Sequence, residues 1–262
     1  MNCQVYYNPK AGAGKAASIY EQLQPLLSSA RLSPQDYIVI GGDGTFNALL
    51  NELEKPEEYR FILLPAGTSN SLCSQISPDE NAVQKLTRFL AQPMFYDFDL
   101  PQIDMNGKTY RFINEASAGF AAAIAREIEQ RQTKRFYNRL RLNEWAYIAT
   151  AFRCWYTDKP YFLSLCNNRR ISGDLYPCME ANPTDGLIDI YELACPRLRL
   201  PYELTRLVKA QTDKESDYVT RRQVTHAEWS FDESLPIEID GNPLPPTRTL
   251  KLNLYPQKVR VF

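Results

Sequence analysis

The order of apolar and polar positions divides the chain into two parts, and in the first part strand-like runs alternate with helix-like runs. The pattern predicts strands at 3–7, 37–40 and 61–64, and helices at 15–30 (with a kink at Pro25), 45–54 and 80–91. This alternation is typical of a parallel sheet with helices on its faces. We therefore predict an α/β fold for the N-terminal part.

The pattern changes near residue 96, beyond which short β-forming runs outnumber helical ones. Asn106-Gly107, between runs at 95–100 and 109–113, is typical of a two-residue hairpin turn. Further strands are predicted at 161–166, 187–193, 218–224, 236–240, 250–254 and 258–262, and helices near 119–131, 144–156 and 202–211. We therefore predict two domains, 1–96 and an antiparallel β-rich domain at 97–254, with 255–262 as a candidate return to the first.

Composition narrows the functional classes. The 262 residues carry a net charge of −1, which gives no global positive field to indicate nucleic acid. The six cysteines form no CxxC pair, so reduced thiols in a cytosol are expected. His226 is the only histidine, which excludes a multi-histidine metal site. We identify no signal peptide and no run as long as a membrane span, so a cytoplasmic protein is expected.

Three turns rich in small residues follow the first three predicted strands. They are Asn8-Pro9-Lys10-Ala11-Gly12-Ala13-Gly14-Lys15, Gly41-Gly42-Asp43-Gly44-Thr45 and Pro65-Ala66-Gly67-Thr68-Ser69-Asn70. Glycine lets the backbone approach a ligand closely, and a helix start offers unpaired N–H groups to a phosphate. Because parallel strands end at one sheet edge, the three turns together predict a nucleotide site. Asp43 is a candidate for holding a metal or a ligand hydroxyl.

The first turn alone fits no standard nucleotide motif. It fails the Walker A pattern because Pro9 stands where glycine is required. It also mimics a dinucleotide fingerprint, but the next strand ends in Gly41-Gly42 rather than in an acid that could hold a ribose.

In this order, the three turns resemble those of the diacylglycerol kinase catalytic domain family, which includes bacterial lipid kinases and sphingosine and ceramide kinases. Asn114–Phe120, Pro183–Ile190 and Ile239–Gly241 resemble later segments of the family. The resemblance implies a three-layer α/β nucleotide domain similar to that of NAD kinases, then an antiparallel β-sandwich-type lipid domain. It also implies an active site in the cleft between the two domains.

The resemblance further implies ATP, Mg²⁺ and a hydroxylated lipid or small molecule as ligands. The γ-phosphoryl of ATP would pass to a hydroxyl of a diacylglycerol-like or sphingoid lipid. The implied ATP-binding residues are Asn8, Pro9, Gly12, Gly14, Lys15, Gly41, Gly42, Asp43, Gly44, Thr45, Asn47, Gly67, Thr68 and Asn70. Asp240 is implied as the base that orients or deprotonates the acceptor hydroxyl, and Asp185 and Asp189 as magnesium ligands.

The residues alone leave other interpretations of these acids open. Without the resemblance, Asp240-Gly241-Asn242 would be interpreted as a hairpin turn. Asp185 and Asp189 would be interpreted as a turn acid and a solvated strand acid.

The chain departs from the family pattern at three places. The 25 residues between Lys15 and Gly41 leave no room for the extra βα unit that most members carry there. Ser71 and Asn242 stand where the family usually has an acid. Two functions therefore stay open, an active lipid kinase and a catalytically weak or inactive nucleotide- or lipid-binding protein. NAD kinase shares the GGDGT turn but would not explain a sandwich-like second domain.

Two expectations concern partners. The basic and aromatic segment 131–141 suits peripheral contact with the inner face of an anionic membrane, and also suits a charged helix end exposed to water. A homodimer is also kept open.

Overall fold

A computed structural model describes residues 3–9, 14–66, 70–76, 80–130, 154, 161–169, 176–212 and 215–262. The chain divides into two compact units, Met1–Leu100 with Tyr255–Phe262, and Pro101–Leu254. The basic segment 131–141 lies outside the described residues, as does the predicted helix 144–156 apart from Cys154. The expected membrane contact of 131–141, the cleft and the homodimer remain predictions.

The first unit contains a five-stranded sheet and four helices. Its strands are β1 (Gln4–Tyr7), β2 (Asp36–Gly41), β3 (Arg60–Pro65), β4 (Tyr96–Phe98) and β13 (Val259–Val261), in the order β1-β2-β3-β13-β4. Its helices are α1 (Lys15–Ser29), α2 (Asp43–Glu52), α3 (Ser71–Ile76) and α4 (Ala82–Ala91). The first four strands of the sheet are mutually parallel and β4 is antiparallel. The predicted α/β fold with a parallel sheet is confirmed.

Apolar patterning explains these elements. All six residues of β2 are buried, as expected for a strand covered on both faces of a parallel sheet. The helix α4 begins with a capping box, in which the side chains of Asn81 and Gln84 each accept the other's backbone N–H. Leu86 and Phe89 of α4 pack into the core of the unit. Since β1, α1 and β2 follow one another directly, no extra βα unit stands in the fully described stretch between Lys15 and Gly41.

The edge of the first sheet differs from the sequence pattern. Tyr96–Phe98, which the pattern assigned to the antiparallel part, forms the edge strand β4 and pairs with β13. The strand β13 enters between β3 and β4, and Val259 and Val261 are both buried there. Phe262 follows them and packs its ring against Phe89. The sequence analysis kept 255–262 as a candidate return to the first domain, and these residues belong to the first unit. Local patterning does not indicate the place of β13 between β3 and β4, because this pairing joins distant parts of the chain.

The second unit contains an eight-stranded sheet in which every neighbouring pair is antiparallel. The order is β10-β9-β8-β7-β11-β12-β5-β6. The strands are β5 (Pro101–Met105), β6 (Lys108–Arg111), β7 (Glu115–Gly119), β8 (Tyr161–Cys166), β9 (Ile188–Ala194), β10 (Val219–Val224), β11 (His226–Ile239) and β12 (Asn242–Leu254). The described helices are α5 (Phe120–Gln130) and α6 (Leu200–Val208). The antiparallel prediction is confirmed, while the sandwich form stays a prediction.

Two strands of the second sheet are longer than the sequence pattern predicts. β11 has 14 residues and β12 has 13, where the pattern predicts only 236–240 and 250–254. Prolines such as Pro236 and Pro243 argue against a strand interior. The β11–β12 register shifts on either side of Leu235, which accommodates Pro236, while Pro243 pairs with Glu238 next to the turn.

The predicted hairpin turn at Asn106-Gly107 is present. Both residues have positive φ, 51° and 73°, as a two-residue hairpin turn of this type requires. The strand before the turn is β5 rather than the predicted run at 95–100. In the described part of the chain, no helix is long and apolar enough to cross a membrane.

Gly119 offers a test of this sheet. Its φ is +85°, and a Cβ there would collide with the carbonyl oxygen of Tyr161 on the neighbouring strand. We expect Gly119→Ala to lower the free energy of unfolding by about 3 kcal/mol, because backbone strain and steric overlap add. Denaturant titration measures the change.

Gly107→Ala is the matched control for that variant. Gly107 also has positive φ, but no atom of the described residues lies within 4 Å of the position that a Cβ would take, so only backbone strain of about 1 kcal/mol applies. Equal losses in the two variants would contradict the predicted overlap with Tyr161.

Candidate functional site

The three strands that precede the three turns end at one edge of the first sheet. β1, β2 and β3 are adjacent and parallel, with Tyr7 opposite Ile40 and Gly41 opposite Pro65. The chain therefore leaves each strand at the same edge, where open α/β sheets bind ligands. Of the implied ATP-binding residues, Gly12, Gly67 and Thr68 lie outside the described residues.

The second turn is shaped by its glycines. A Cβ at Gly41 would collide with the side chain of Thr45, so the close approach of Thr45 requires glycine. The carbonyl of Gly42 accepts the N–H groups of Thr45 and Phe46, at 3.0 and 3.2 Å, and so begins α2. Gly41, Gly42 and Asp43 line a small recess together with Val39, Phe46, Leu63 and Cys73. The positive end of the α2 dipole therefore faces the sheet edge where the turns meet.

Asp43 ties the second turn to the third. Its carboxylate accepts the backbone N–H of Ser71 at 2.8 Å and that of Leu72 at 3.2 Å, at the start of α3. Asn70, just before them, has a φ of +44°. The sequence pattern suggested a metal or a ligand hydroxyl for Asp43, whereas the structure shows backbone N–H partners for both oxygens. Asp43 is therefore a group that positions the neighbouring turn.

The other described residues of the turns occupy distinct places. Gly14 has a φ of +95° and stands directly before α1, and Lys15 is the exposed first residue of that helix. Asn8 and Pro9 follow the end of β1. Asn47 lies within α2, where it is buried and accepts a hydrogen bond from Asn51 at 3.3 Å. This side chain therefore makes a hydrogen bond within α2.

Asp240 lies in the second unit, in the two-residue turn between β11 and β12. Asp240 and Gly241 have φ values of 44° and 81°, so the hairpin interpretation is correct as a description of the backbone. The side chain is nevertheless buried, at 7% exposure. Its carboxylate accepts the N–H groups of 113, 114 and 115 at 2.9, 2.8 and 3.1 Å. These three donors favour the ionised form.

Two further carboxylates accompany Asp240, and the sequence pattern did not identify them. Glu238 accepts a hydrogen bond from the Ser117 hydroxyl and another from the N–H of Gly241, both at 2.9 Å. Glu115 accepts one from the Ser164 hydroxyl at 3.3 Å. Because side chains alternate along a strand, Glu238 shares a face with the residue two positions later. This i, i+2 pattern of acids in an apolar run was the available signal.

The environment of Glu238 differs from that of Asp240. Burial raises the pKa of Glu238 to about 7, and the charge of Asp240 acts in the same direction. The hydrogen bond from Ser117 opposes both effects. Near neutral pH burial therefore keeps Glu238 partly protonated, beside an Asp240 carboxylate that accepts three backbone N–H groups.

The predicted metal ligands Asp185 and Asp189 lie near β9. Asp189 accepts a hydrogen bond from Gln223 at 3.1 Å, while its other oxygen, Oδ2, is buried without a hydrogen-bond partner among the described residues. Burial raises the pKa of Asp189, and the charges of Asp185 and Glu180 add to this. The exposed Asp185 accepts the N–H of Leu187 at 3.0 Å. The orphaned oxygen of Asp189 fits a hard cation such as Mg²⁺.

The described residues do not, however, form a complete metal site. No group of three or more His, Cys, Asp or Glu side chains among them converges on one position. Any cation at Asp189 would therefore take most of its ligands from water or backbone oxygens.

Comparison with known proteins bears on the turns of the first unit and on the carboxylates of the second. Residues 33–99 match the model of the diacylglycerol kinase catalytic domain, a range that includes the second and third turns. A Shewanella frigidimarina protein named "Probable lipid kinase YegS-like" is 25% identical over 85% of this chain and 74% of its own length. The resemblance to the diacylglycerol kinase catalytic domain family is confirmed.

Two further similar proteins agree with this resemblance. A Stenotrophomonas maltophilia protein, also named "Probable lipid kinase YegS-like", is 24% identical over 86% of this chain and 77% of its own length. A crystal structure of "a putative diacylglycerol kinase" from Bacillus anthracis superposes with a TM-score of 0.70, at 16% identity, over 98% of this chain and 95% of that one. The structural likeness shows the shared fold. Asp240 lies outside the matched range 33–99, so its role rests on the second unit alone.

The environment of Glu238 predicts a pH-dependent stability. Its pKa is about 7 in the folded chain against 4.5 ordinarily, so the folded state binds more protons between those values. Stability therefore falls as pH rises through this window, by about 2–3 kcal/mol from this group. We expect Glu238→Gln, which mimics the neutral acid, to match the wild type near pH 5 and to be more stable near pH 8.

Denaturant titrations at several pH values measure this difference. Glu228→Gln is the control, because Glu228 lies on the same strand with its side chain 67% exposed. A Glu238→Gln variant whose stability follows the wild-type pH dependence would contradict the assignment.

The role of Asp43 predicts a local effect. Asp43→Ala leaves the N–H groups of Ser71 and Leu72 without their acceptor, so we expect about 2 kcal/mol of lost stability. Hydrogen exchange at those two amides should accelerate more than elsewhere in the unit. The exposed Asp97 provides the control Asp97→Ala. Unchanged exchange at Ser71 and Leu72 would show that Asp43 does not hold the third turn.

Proposed function

We propose that this chain is an ATP-dependent lipid kinase that transfers the γ-phosphoryl of ATP to a hydroxyl of a diacylglycerol-like or sphingoid lipid. The observation that carries the proposal is that β1, β2 and β3, the strands that the three small-residue turns follow, end at one edge of the first sheet. Phosphoryl transfer requires chiefly positioning and charge stabilisation, which such an edge can supply.

The first unit would bind the nucleotide. The N-terminus of α2 behind Gly42 offers N–H groups and a positive dipole end to the phosphates. Lys15, exposed at the first residue of α1, adds a cation beside the first turn. Asp43 would contribute by holding the third turn in place, since its oxygens already bond to Ser71 and Leu72.

The second unit would hold the acceptor through Asp240. Three backbone donors favour the ionised form of Asp240, so it is a better hydrogen-bond acceptor than proton acceptor. A loose phosphoryl-transfer transition state requires little deprotonation of the attacking hydroxyl. We therefore assign to Asp240 the orientation of the acceptor hydroxyl rather than its full deprotonation. The proposal requires that hydroxyl to reach the nucleotide of the first unit.

Magnesium would serve at two places in this proposal. A divalent ion supplied with ATP would neutralise charge on the transferred phosphoryl group. A second ion would be bound by Asp189, whose Oδ2 has no hydrogen-bond partner in the described part of the chain, together with Asp185. Since neither residue belongs to the three turns, we assign the second ion a structural role.

A catalytically weak nucleotide- or lipid-binding protein is the second candidate. Two observations favour it. Ser71 is the first residue of α3, and its backbone N–H binds Asp43. Its side chain offers only a hydroxyl where the family usually has an acid. Asn242, the exposed first residue of β12, likewise lacks a charge that could balance a cation.

Turnover of ATP with magnesium and a panel of diacylglycerol, sphingoid and isoprenoid lipids tests the proposal. We expect phosphate transfer by the wild type and a loss of roughly 10²-fold or more in kcat for Asp240→Asn, with ATP binding retained. Asp232→Asn is the control, because Asp232 is an exposed acid on β11.

The outcomes separate the two candidates. A wild type that binds ATP but phosphorylates no acceptor supports the binding protein. Absence of any nucleotide binding, measured as a shift in melting temperature, contradicts both candidates. Full activity in Asp240→Asn would remove Asp240 from the mechanism while leaving the kinase assignment intact.

A further inference from the structure

The segment 197–209 presents an apolar stripe to solvent. A 3₁₀ turn at Arg197–Arg199 leads directly into α6. Leu198 is 87% exposed, Tyr202 is 55% exposed and Val208 is 58% exposed. Leu198 precedes Tyr202 by four residues, and exposed Thr205 and Val208 follow at three and six, so these side chains spread over the side of the helix opposite its buried residues. We call this stripe, with its flanking cations Arg197, Arg199 and Lys209, the α6 outer face.

The opposite side of α6 explains why this stripe is not core. Leu200 and Leu207 are buried in a cluster with residues of β8, β9 and α5. Glu203 and Arg206 are also buried and pair with each other at 2.8 Å. The helix therefore already has an apolar side packed on the sheet, and the outer face is a second apolar side.

The surroundings of the outer face are positively charged. Segment 196–224 carries seven Lys or Arg against four Asp or Glu, a net charge of +3 in a chain of net −1. The single carboxylate of α6, that of Glu203, pairs with two guanidinium groups, those of Arg199 directly before the helix and Arg206 within it. Among the described residues of this segment, Glu215 and Asp217 are exposed acids that follow the helix.

Aromatic geometry adds to the same face. The guanidinium of Arg199 lies 4.1 Å from the centre of the Tyr202 ring and 5.8 Å from that of Tyr218. Such contacts hold the ring and the cation together in a fixed arrangement. Tyrosine rings beside cations are typical of the level of lipid head groups, where one end of the side chain is apolar and the other is wet.

We propose that the α6 outer face docks on an anionic lipid bilayer, with Leu198, Tyr202 and Val208 entering the head-group region and the flanking cations facing lipid phosphates. Apolar residues on one side with Lys and Arg beside them are what such a surface recognises. The inference goes beyond the proposed function, because it concerns where the protein binds rather than what it phosphorylates.

A second copy of this chain fits the face less well. The three exposed apolar side chains together offer on the order of a few hundred Å², whereas a stable dimer needs about 800 Å² per partner. Like charges would also meet across a two-fold contact, since each copy brings its own cations.

Vesicle co-sedimentation with the full-length chain, without ATP, tests the proposal. We expect binding to phosphatidylglycerol vesicles, weaker binding to pure phosphatidylcholine vesicles, and a loss of affinity with added salt. Leu198→Glu should reduce the affinity roughly tenfold or more. It replaces an apolar side chain that would enter the bilayer with a negative charge that the anionic lipids repel. Lys209→Glu should reduce it by a smaller factor that high salt abolishes.

Two matched controls accompany these variants. Leu90→Glu places the same charge at an exposed apolar position of α4, where Leu90 is 37% exposed. Lys108→Glu reverses an exposed charge on β6. Both should bind vesicles like the wild type. Because all four altered positions are exposed, unchanged melting temperatures should show that the variants fold.

Several outcomes would overturn the docking proposal. Equal losses in Leu90→Glu and Leu198→Glu would show a general effect of charge. A wild type that binds no vesicle yet phosphorylates detergent-solubilised lipid would refute docking and leave the kinase proposal standing. Concentration-dependent dimerisation abolished by Leu198→Glu, without vesicle binding, would assign the face to a second copy. Vesicle binding without phosphate transfer would sustain docking and refute the kinase.

Discussion

Carboxylates that accept backbone N–H groups, half-buried at Asp43 and buried at Asp240, hold both candidate sites in place. Asp43 binds two such groups 28 and 29 residues further along the chain, and Asp240 binds three groups that precede it by at least 125 residues. A buried charge is costly unless it is hydrogen-bonded, and a buried N–H group is costly without an acceptor. Each interaction removes both costs at once. Each therefore fixes a loop and a carboxylate together.

Local chemistry made much of the fold predictable. Four consecutive β-forming residues, 37–40, identify a short buried strand, and the spacing 46, 49, 50 and 53 identifies the helix after it. The Asn106-Gly107 turn required positive φ at both residues, and the sequence supplied the two residue types that tolerate it. The second turn was predictable for the same reason, since the close approach of Thr45 to Gly41 involves residues near one another in the chain.

Features that depend on distant partners were not predictable. The return of 255–262 to the first unit was kept as a candidate, but its place between β3 and β4 was not predicted; Val259 and Val261 are buried there, some 190 residues after β3. β11 and β12 exceed their predicted lengths because each stabilises the other across a ladder that prolines alone would forbid. Glu115 and Glu238 looked like ordinary strand acids. Only the pairing of β7 with β11 brings them together.

The carboxyl groups of the second unit show how such pairing creates chemistry. Asp240 and Glu238 are two residues apart, yet one receives three backbone donors and the other is held mainly by burial and a serine. Two like charges so close would repel, and raising the pKa of Glu238 to about 7 relieves that repulsion. Environments that separate two neighbouring acids in this way are typical of sites where the charge state of one group matters. The negative charge of the pair is thereby concentrated on Asp240, the residue to which we assign the acceptor hydroxyl in the proposed kinase.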